Sequence, residues 1–246
     1  MTRNRTIPHL SQHEKDYVRD LLVHEDEAIL AFNKPSGLPS QVRGNRARNL
    51  DHLLWTFAKS NGKRPRLVHR LDVGTSGIIL AGRTHPDAAS LSKSLEHRKA
   101  RKVYWAIIAG HLPNRRSGAF NDPIARIDEA GRSRIVAGRP DGKRALTRWT
   151  IPSRLGDVAL IELRPETGRM HQLRVHLAHH GCPILGDTLY NGAPASRLCL
   201  HAASIELTHP RHDAQITLRA PLPKVFCDIA GHHGLDCSVF EPPGSG

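Results

Sequence analysis

The sequence predicts an α+β fold, a mixed and mostly antiparallel central sheet with flanking helices. Two patterns carry that reading. Apolar and alternating segments follow one another without the regular helical crossovers of a parallel sheet, and helical spacing recurs in only a few separate stretches. The 246 residues, 39% hydrophobic and 24% charged, suffice for one such domain with a sizeable core.

Taken in order, Ala28 to Phe32 of EAILAFNKPSGLPS reads as a short strand that breaks at Pro35 and Gly37, both turn formers. In NLDHLLWTFAKSNG, Leu50, Leu53, Leu54 and Phe57 stand at helical spacing, with Gly62 as the stop. RLVHR and GIILAGRT read as strands on either side of a turn-rich loop. HPDAASLSKSLEHR places Pro86 in a helix's first turn and Ala88, Leu91 and Leu95 on one face. KVYWAIIAG alternates Val103, Trp105 and Ile107 against Tyr104, Ala106 and Ile108, the pattern of a strand. Residues 111 to 143, rich in Gly, Pro and Arg, read as an exposed excursion. A hairpin turning near Gly156 follows, then a helix with Met170, Leu173 and Leu177 on one face. ASIELTHP is a strand after LCLHA, and EPPGSG reads as a frayed tail. No internal repeat is evident.

Charge narrows the partners. Lys and Arg number 36 against 23 Asp and Glu, a formal +13, with a pI near 10.3. Such a surplus favours a polyanion, nucleic acid or an anionic membrane surface, over a small neutral metabolite. No apolar run is long enough to span a membrane, and MTRNRTIPHLSQHE lacks the apolar core of a secretion signal, so a cytoplasmic protein is expected. Cys182, Cys199, Cys227 and Cys237 form no C-x-x-C pair and read as ordinary thiols. The His pairs of AHHGC and GHHG match no established zinc spacing, so no metal site is expected from them.

Two generic motifs fail. GRPDGKR has the wrong glycine spacing and no Ser or Thr after its lysine for a phosphate-binding loop. HRLD lacks both the glycine-rich loop and the D-F-G of a protein kinase. On residues alone, Asp72 of VHRLDVGTSG reads first as an Asx-turn or capping residue whose carboxylate bonds loop amides near Gly74 and Thr75. Tyr104 is readable as core packing, and Arg174 as a surface or phosphate-binding arginine.

Five segments change that balance when taken together. KPSGLP, HRLDVGTSGIIL, KVYWAIIAG, PETGRMHQLRVHLAHHGCPILGDTLYNG and LCLHAASIELTHP resemble the RluA-type pseudouridine synthases, in the same order and at family-like spacing from about Glu25 to about Pro223. The resemblance implies a central sheet with a central active-site cleft, and an isomerase that converts uridine in RNA to pseudouridine without consuming a cofactor. It makes Asp72 the catalytic nucleophile, Tyr104 the aromatic on which the target base lies, and Arg174 the cation that pairs with the aspartate. An aspartate can act so if a guanidinium keeps it ionised in a site that excludes water. Around these, Lys34 is expected to hold the substrate or the active-site loop, His69, Arg70 and Thr75 to position that loop or contact RNA, and Arg169 and His171 to support the Arg174 segment or contact phosphate. A paired uridine must be flipped out to be reached.

The expected organisation is a short N-terminal extension over 1–24, a catalytic domain over 25–230 and a tail over 231–246. The extension is too short for the S4-type RNA-binding domain that many relatives carry, so recognition falls to the catalytic domain, with the Arg-rich excursion as a candidate. Members modify ribosomal RNA, transfer RNA or both. The expected partner is RNA, with no metal, no membrane and no obligatory protein partner, for a chain acting as a monomer. Two rivals differ in what they need. A non-catalytic RNA-binding or ribosome-assembly protein on this fold has no use for Asp72, Tyr104 and Arg174 together, and a carboxylate-dependent hydrolase needs further acids that these segments lack.

Overall fold

A computed structural model describes residues 8–42, 48–97, 100–129 and 132–238. The elements run α1 (Gln12–Asp20), β1 (Leu22–Glu25), β2 (Ile29–Lys34), α2 (Leu50–Leu53), β3 (Arg66–Leu67), β4 (Ser76–Gly82), α3 (His85–Glu96) and β5 (Arg101–Ala109). They continue through β6 (Ser117–Phe120), β7 (Ile124–Glu129), β8 (Arg132–Ala137), β9 (Thr147–Leu155), β10 (Val158–Pro165), α4 (Gln172–His179), β11 (Leu200–Thr208), β12 (Gln215–Arg219) and α5 (Lys224–His232). The α+β class expected from the sequence is present, with mostly antiparallel strands. The chain forms two compact units, one of Met1–Ala100 with Ser204–Ala220, the other of Arg101–Ala203 with Pro221–Gly246.

In the first unit β2 lies between β1 and β4, antiparallel to both, and pairs with β4 from Ile29↔Gly82 to Lys34↔Gly77. β2 and β4 are buried almost throughout, which is why they read as continuous apolar runs rather than alternating ones. Thr84 and Asp87 form a reciprocal capping box at the start of α3, and Pro86 occupies its first turn. A Cβ on Gly82 would collide with the Ala88 backbone, so that glycine lets α3 pack close against β4. The end of β11 and β12 form a hairpin paired from Ser204↔Arg219 to Thr208↔Gln215.

The second unit is built on the order β5, β10, β9, β6, each pair antiparallel, with β9 and β10 turning at Gly156 as expected (φ +59°). Its core joins Trp105, Ile107, Leu160, Ile161 and Leu163 of the sheet to Leu173 and Leu177 of α4 and Phe226 of α5.

The structure departs from the sequence reading in four places. Residues 111 to 143 are mostly exposed, as expected, but carry strands that the reading did not place: β6 pairs with β9, and β7 with β8 as a separate hairpin. Ile124 and Ile135 bury with Ala145 and Val175 into a small core of their own, a sparse apolar signal that the arginines and glycines outnumber. The helix carrying Leu173 excludes Met170, which is half exposed, because His171 takes a left-handed conformation (φ 53°) at the helix start. RLVHR contributes only two strand residues, and the helix from Leu50 tightens to a 3₁₀ turn at Leu54–Phe57, ending before Gly62. The EPPGSG tail lies outside the described residues.

A buried polar web holds α4 in the second unit. Gln172 accepts from Thr167 Oγ1 (2.7 Å) and the Arg169 amide (3.0 Å), and donates to Leu146 O (3.1 Å) and Thr147 Oγ1 (2.9 Å). The Thr147 hydroxyl meets His176 Nδ1 at 3.1 Å, and His176 Nε2 meets Asp122 O at 3.0 Å. Since a carbonyl only accepts, Nε2 carries the proton and Nδ1 accepts, so the neutral ring satisfies every partner. Burial, ahead of the opposing pull of Asp122, lowers the His176 pKa from its ordinary 6.5. A base whose folded pKa is depressed contributes stability above its unfolded pKa and loses it as pH falls toward the folded one. Stability measured by urea unfolding is therefore expected to decline from about pH 6.5 downward, and His176→Gln to flatten that slope. An imidazole that titrates by NMR at its ordinary value would contradict the burial argument.

Candidate active site

Asp72 stands in a loop between β3 and β4 whose neighbours are fixed from below. Leu71 and Thr75 on either side of it are buried, while Asp72 is half-buried and Val73 exposed. The turn closes through the Asp72 main-chain carbonyl, which accepts from the Thr75 amide at 3.1 Å, a bond that does not involve the carboxylate.

The loop is tied to the KPSGLPS segment at several points. Lys34, fully buried, donates from Nζ to Pro35 O (3.0 Å), Leu38 O (2.8 Å) and Val73 O (3.2 Å). Ser36 Oγ donates to Gly74 O at 2.7 Å, the Gly37 amide to Val73 O at 2.8 Å, and Ser40 Oγ to Leu71 O at 2.7 Å. Ser40 Oγ in turn accepts the Leu71 amide at 3.1 Å. Gly37 (φ +89°) and Gly77 (φ +112°) supply backbone that a side chain would strain. His69 Nε2 accepts the Leu80 amide at 3.1 Å, which anchors the loop's entry on β4, and Arg70 is exposed beside it.

In the second unit, Arg174 lies on α4 with only 12% of its side chain exposed. Its Nε and Nη2 each donate to an oxygen of Asp187 at 2.7 Å, a bidentate fork. Asp187 has no side-chain exposure and also accepts the amides of Leu189 (3.2 Å) and Tyr190 (3.3 Å). The Tyr190 ring lies 5.2 Å from the guanidinium carbon, and its hydroxyl meets His171 Nδ1 at 2.9 Å. His171 thus braces the Arg174 segment through Tyr190, and Arg169, itself exposed, braces it through its amide to Gln172 and its Nε to Arg144 O (3.1 Å).

Tyr104 lies on β5 opposite Leu163, half-buried against the unit's core. Lys102 shares its strand face two residues earlier, and burial lowers the pKa of that ammonium. Residue reasoning passed over Asp187, Tyr190, Gln172 and Lys102. Asp187 and Tyr190 had a signal in GDTLY, an acid and an aromatic after a glycine turn, but nothing in their spacing ties them to Arg174.

Removing Asp187 is expected to expose what Arg174 costs to bury. Asp187→Asn takes from a nearly buried guanidinium the carboxylate that receives both prongs of its fork, a loss of about 3–5 kcal/mol in urea unfolding. A loss below about 1 kcal/mol, the worth of a surface pair, would mean the arginine reaches water when the acid is gone.

Comparison with known proteins accords with this arrangement. A family profile described as RNA pseudouridylate synthase matches residues 28–179. An uncharacterised RNA pseudouridine synthase of Zymomonas mobilis is 36% identical over 208 residues, covering 83% of this chain and 94% of the relative. The dual-specificity RNA pseudouridine synthase RluA of Vibrio cholerae is 37% identical over 206 residues, 81% of this chain and 82% of that one. Among solved structures, human RNA pseudouridylate synthase domain containing 4 superposes with a TM-score of 0.75 at 26% identity, covering 91% of this chain and 98% of its own. The profile match over more than half of the chain and relatives at 36–37% identity covered over 82–94% of their own length lead to one assignment: this chain belongs to the RNA pseudouridylate synthase family, the isomerases that make pseudouridine in RNA.

Proposed function

We propose that this isomerase acts on specific uridines of ribosomal RNA, transfer RNA or both, with Asp72 as its nucleophile, and that residues 25–230 form the catalytic domain. The observation that carries the nucleophile reading is the frame around Asp72: a half-buried carboxylate on a turn whose closing bond uses its main chain, between two buried residues, above a loop tied down by Lys34, Ser36 and Ser40. Such a frame holds the backbone at Asp72 rigidly in position. Lys34 then serves the reaction by fixing the loop, and His69 and Thr75 likewise position it, while exposed Arg70 and Arg169 meet RNA.

In the reaction the bond from the sugar to N1 of uracil breaks, the sugar carbon joins C5, and the hydrogen on C5 leaves as a proton. Asp72 adds covalently to the base or the sugar carbon and is released unchanged. Arg174 is the cation that the family resemblance pairs with it. Its fork with Asp187 commits one edge of a group with five N–H donors and fixes the direction of the rest. Tyr104 carries the flipped uracil on its ring, and its hydroxyl assists removal of the C5 proton. RNA affinity comes from the +13 charge and weakens steeply with salt. The Vibrio cholerae relative's name records dual specificity, which supports leaving open more than one RNA as substrate.

Asp72→Asn is expected to abolish pseudouridine formation while RNA affinity, read by filter binding, changes little. Turnover within about tenfold of wild type would exclude a nucleophile. Arg174→Met should be nearly as damaging, and the double variant no worse than the single ones, since groups acting as a unit are not additive. Mapping pseudouridine in total RNA from cells with and without the gene identifies the target uridines.

Tyr104→Phe separates the ring from the hydroxyl. The variant is expected to bind and flip uridine but to release tritium from 5-tritiated uridine RNA at least about a hundredfold more slowly, the contribution of a general base. Normal release would leave Tyr104 as a stacking surface only.

A further inference from the structure

Two hairpin tips of the first unit bring together a group of imidazoles and carboxylates that the reaction does not use. The turn between β1 and β2 carries Asp26 and Glu27, with His24 on β1, and the turn between β11 and β12 carries His209 and His212. His212 Nε2 lies 2.7 Å from Glu27 Oε1, although the two residues are 185 positions apart. The imidazoles of His209 and His212 face each other at 4.6 Å, 14° from parallel. One potential ligand atom from each of Glu27, His209 and His212 falls within 4.8 Å of the other two. Around a single ion with bonds of roughly 2.0–2.2 Å, ligand atoms stand roughly 3.3 Å apart in a tetrahedron and up to about 4.4 Å apart across an octahedron. The cluster is thus near the size that one ion would draw together.

We propose that these paired tips bind one divalent transition-metal ion, with Zn2+ as the representative case. His212 and Glu27 are the anchoring ligands, because their ligand atoms already face each other and need only part from 2.7 Å to about 3.3 Å to admit an ion between them. His209 is the third. Its Nε2 now faces Asp26 Oδ2 at 3.3 Å, and its Nδ1 accepts the amides of Arg211 (3.3 Å) and His212 (3.2 Å). Ligation through Nε2 moves the ring proton to Nδ1 and gives up those two long contacts, a cost that makes the site exchangeable rather than a permanent structural centre. Asp26, fixed by the Ala28 and Ile29 amides at 2.7 Å each and by His24 Nε2 at 2.6 Å, yields its contact with His209 Nε2 to the ion and stays held by those three partners. Two imidazoles and one carboxylate suit Zn2+ or Ni2+ better than Mg2+ or Ca2+, which prefer all-oxygen sites. Water completes the coordination, since Glu27 and His212 are open to solvent.

The site lies at the far end of β2 from the Asp72 loop. Ile29 begins the strand beside the cluster, Lys34 ends it beneath the loop, and five residue steps separate them by roughly 17 Å. The ion therefore joins two turns and takes no part in the isomerisation. The chain alone conceals it, because His-x-x-His across a hairpin turn has no zinc spacing and its third ligand comes from the other end of the sequence.

The test uses the full chain, stripped with EDTA, dialysed and titrated with Zn2+ by calorimetry beside thermal unfolding. Wild type should bind one ion and gain about 2–8 °C in Tm at saturation. Exposed His212→Ala and Glu27→Gln should each weaken binding at least tenfold and abolish the gain, while His179→Ala/His180→Ala, a histidine pair of the second unit, should leave both unchanged. Unaltered affinity in His212→Ala and Glu27→Gln would overturn the proposal and place the ion among the protein's other histidines. Absence of any binding by wild type at 100 μM Zn2+, on the order of a hundredfold above a micromolar Kd, would overturn it as well.

Discussion

The burial of the Lys34 ammonium constrains everything around Asp72. A charge withdrawn from water costs several kcal/mol unless its hydrogens find acceptors. Here the acceptors are carbonyls on two loops that are remote in sequence, Pro35 and Leu38 on one and Val73 on the other. Neither loop can move without stripping the ammonium of a partner, so the two are coupled. Ser36 and Ser40 repeat the arrangement on either side, each donating a hydroxyl to a carbonyl of the Asp72 loop. Val73 O takes two of these bonds, from Lys34 and from the Gly37 amide, and directly follows the carboxylate in question. Precision at Asp72 is thus a property of main-chain carbonyls and their donors, with side-chain identity mattering at the donors.

The second unit achieves the same end with a different economy of groups. Arg174 projects from the first turn of α4, and the helix itself is set by Gln172, whose amide is engaged on both its oxygen and its nitrogen. The guanidinium is then oriented by Asp187 on one edge and by Tyr190 beneath, and Tyr190 is oriented by His171. His171 adopts its left-handed backbone at the point where the chain enters the helix, a conformation that costs free energy and persists only where its surroundings require it. Every polar group in this chain of contacts positions another, and the last one in line is the arginine.

This difference explains what the sequence disclosed. Strands β2, β4, β5 and β10 and helix α3 were legible because burial writes itself as apolar runs, alternation or helical spacing such as that of Ala88, Leu91 and Leu95 behind Pro86. The motif segments stood out as a set in fixed order, which is how Asp72, Tyr104 and Arg174 could be singled out. The positioning groups were not legible. A lysine buried under a loop looks like any turn lysine, and Asp187 gives no hint that its partner lies thirteen residues earlier. Polar pairing across turns has no period, unlike apolar packing. The β7–β8 hairpin failed for a related reason, since Ile124 and Ile135 are few among its charges.

That hairpin and its surroundings also show how the charge surplus is arranged. Several arginines are spent internally: Arg64 on Asp51, Arg211 on Asp87 and Arg174 on Asp187. These hold structure and contribute little to an external field, because each is matched by an acid. Elsewhere in the second unit, Arg115, Arg116, Arg134, Lys143 and Arg144 are exposed. Pairing of β8 with β7 fixes the backbone at Arg134, and the Ile151 amide bonded to Arg116 O (2.7 Å) fixes it at Arg116, whereas a mobile loop would average their positions. A phosphate backbone presents charges at regular intervals, and a polyanion is held better by cations already spaced than by cations that must be ordered on contact. The small core of Ile124, Ile135, Ala145 and Val175 is therefore an electrostatic device as well as a packing one: it fixes the backbone from which Arg134 is displayed.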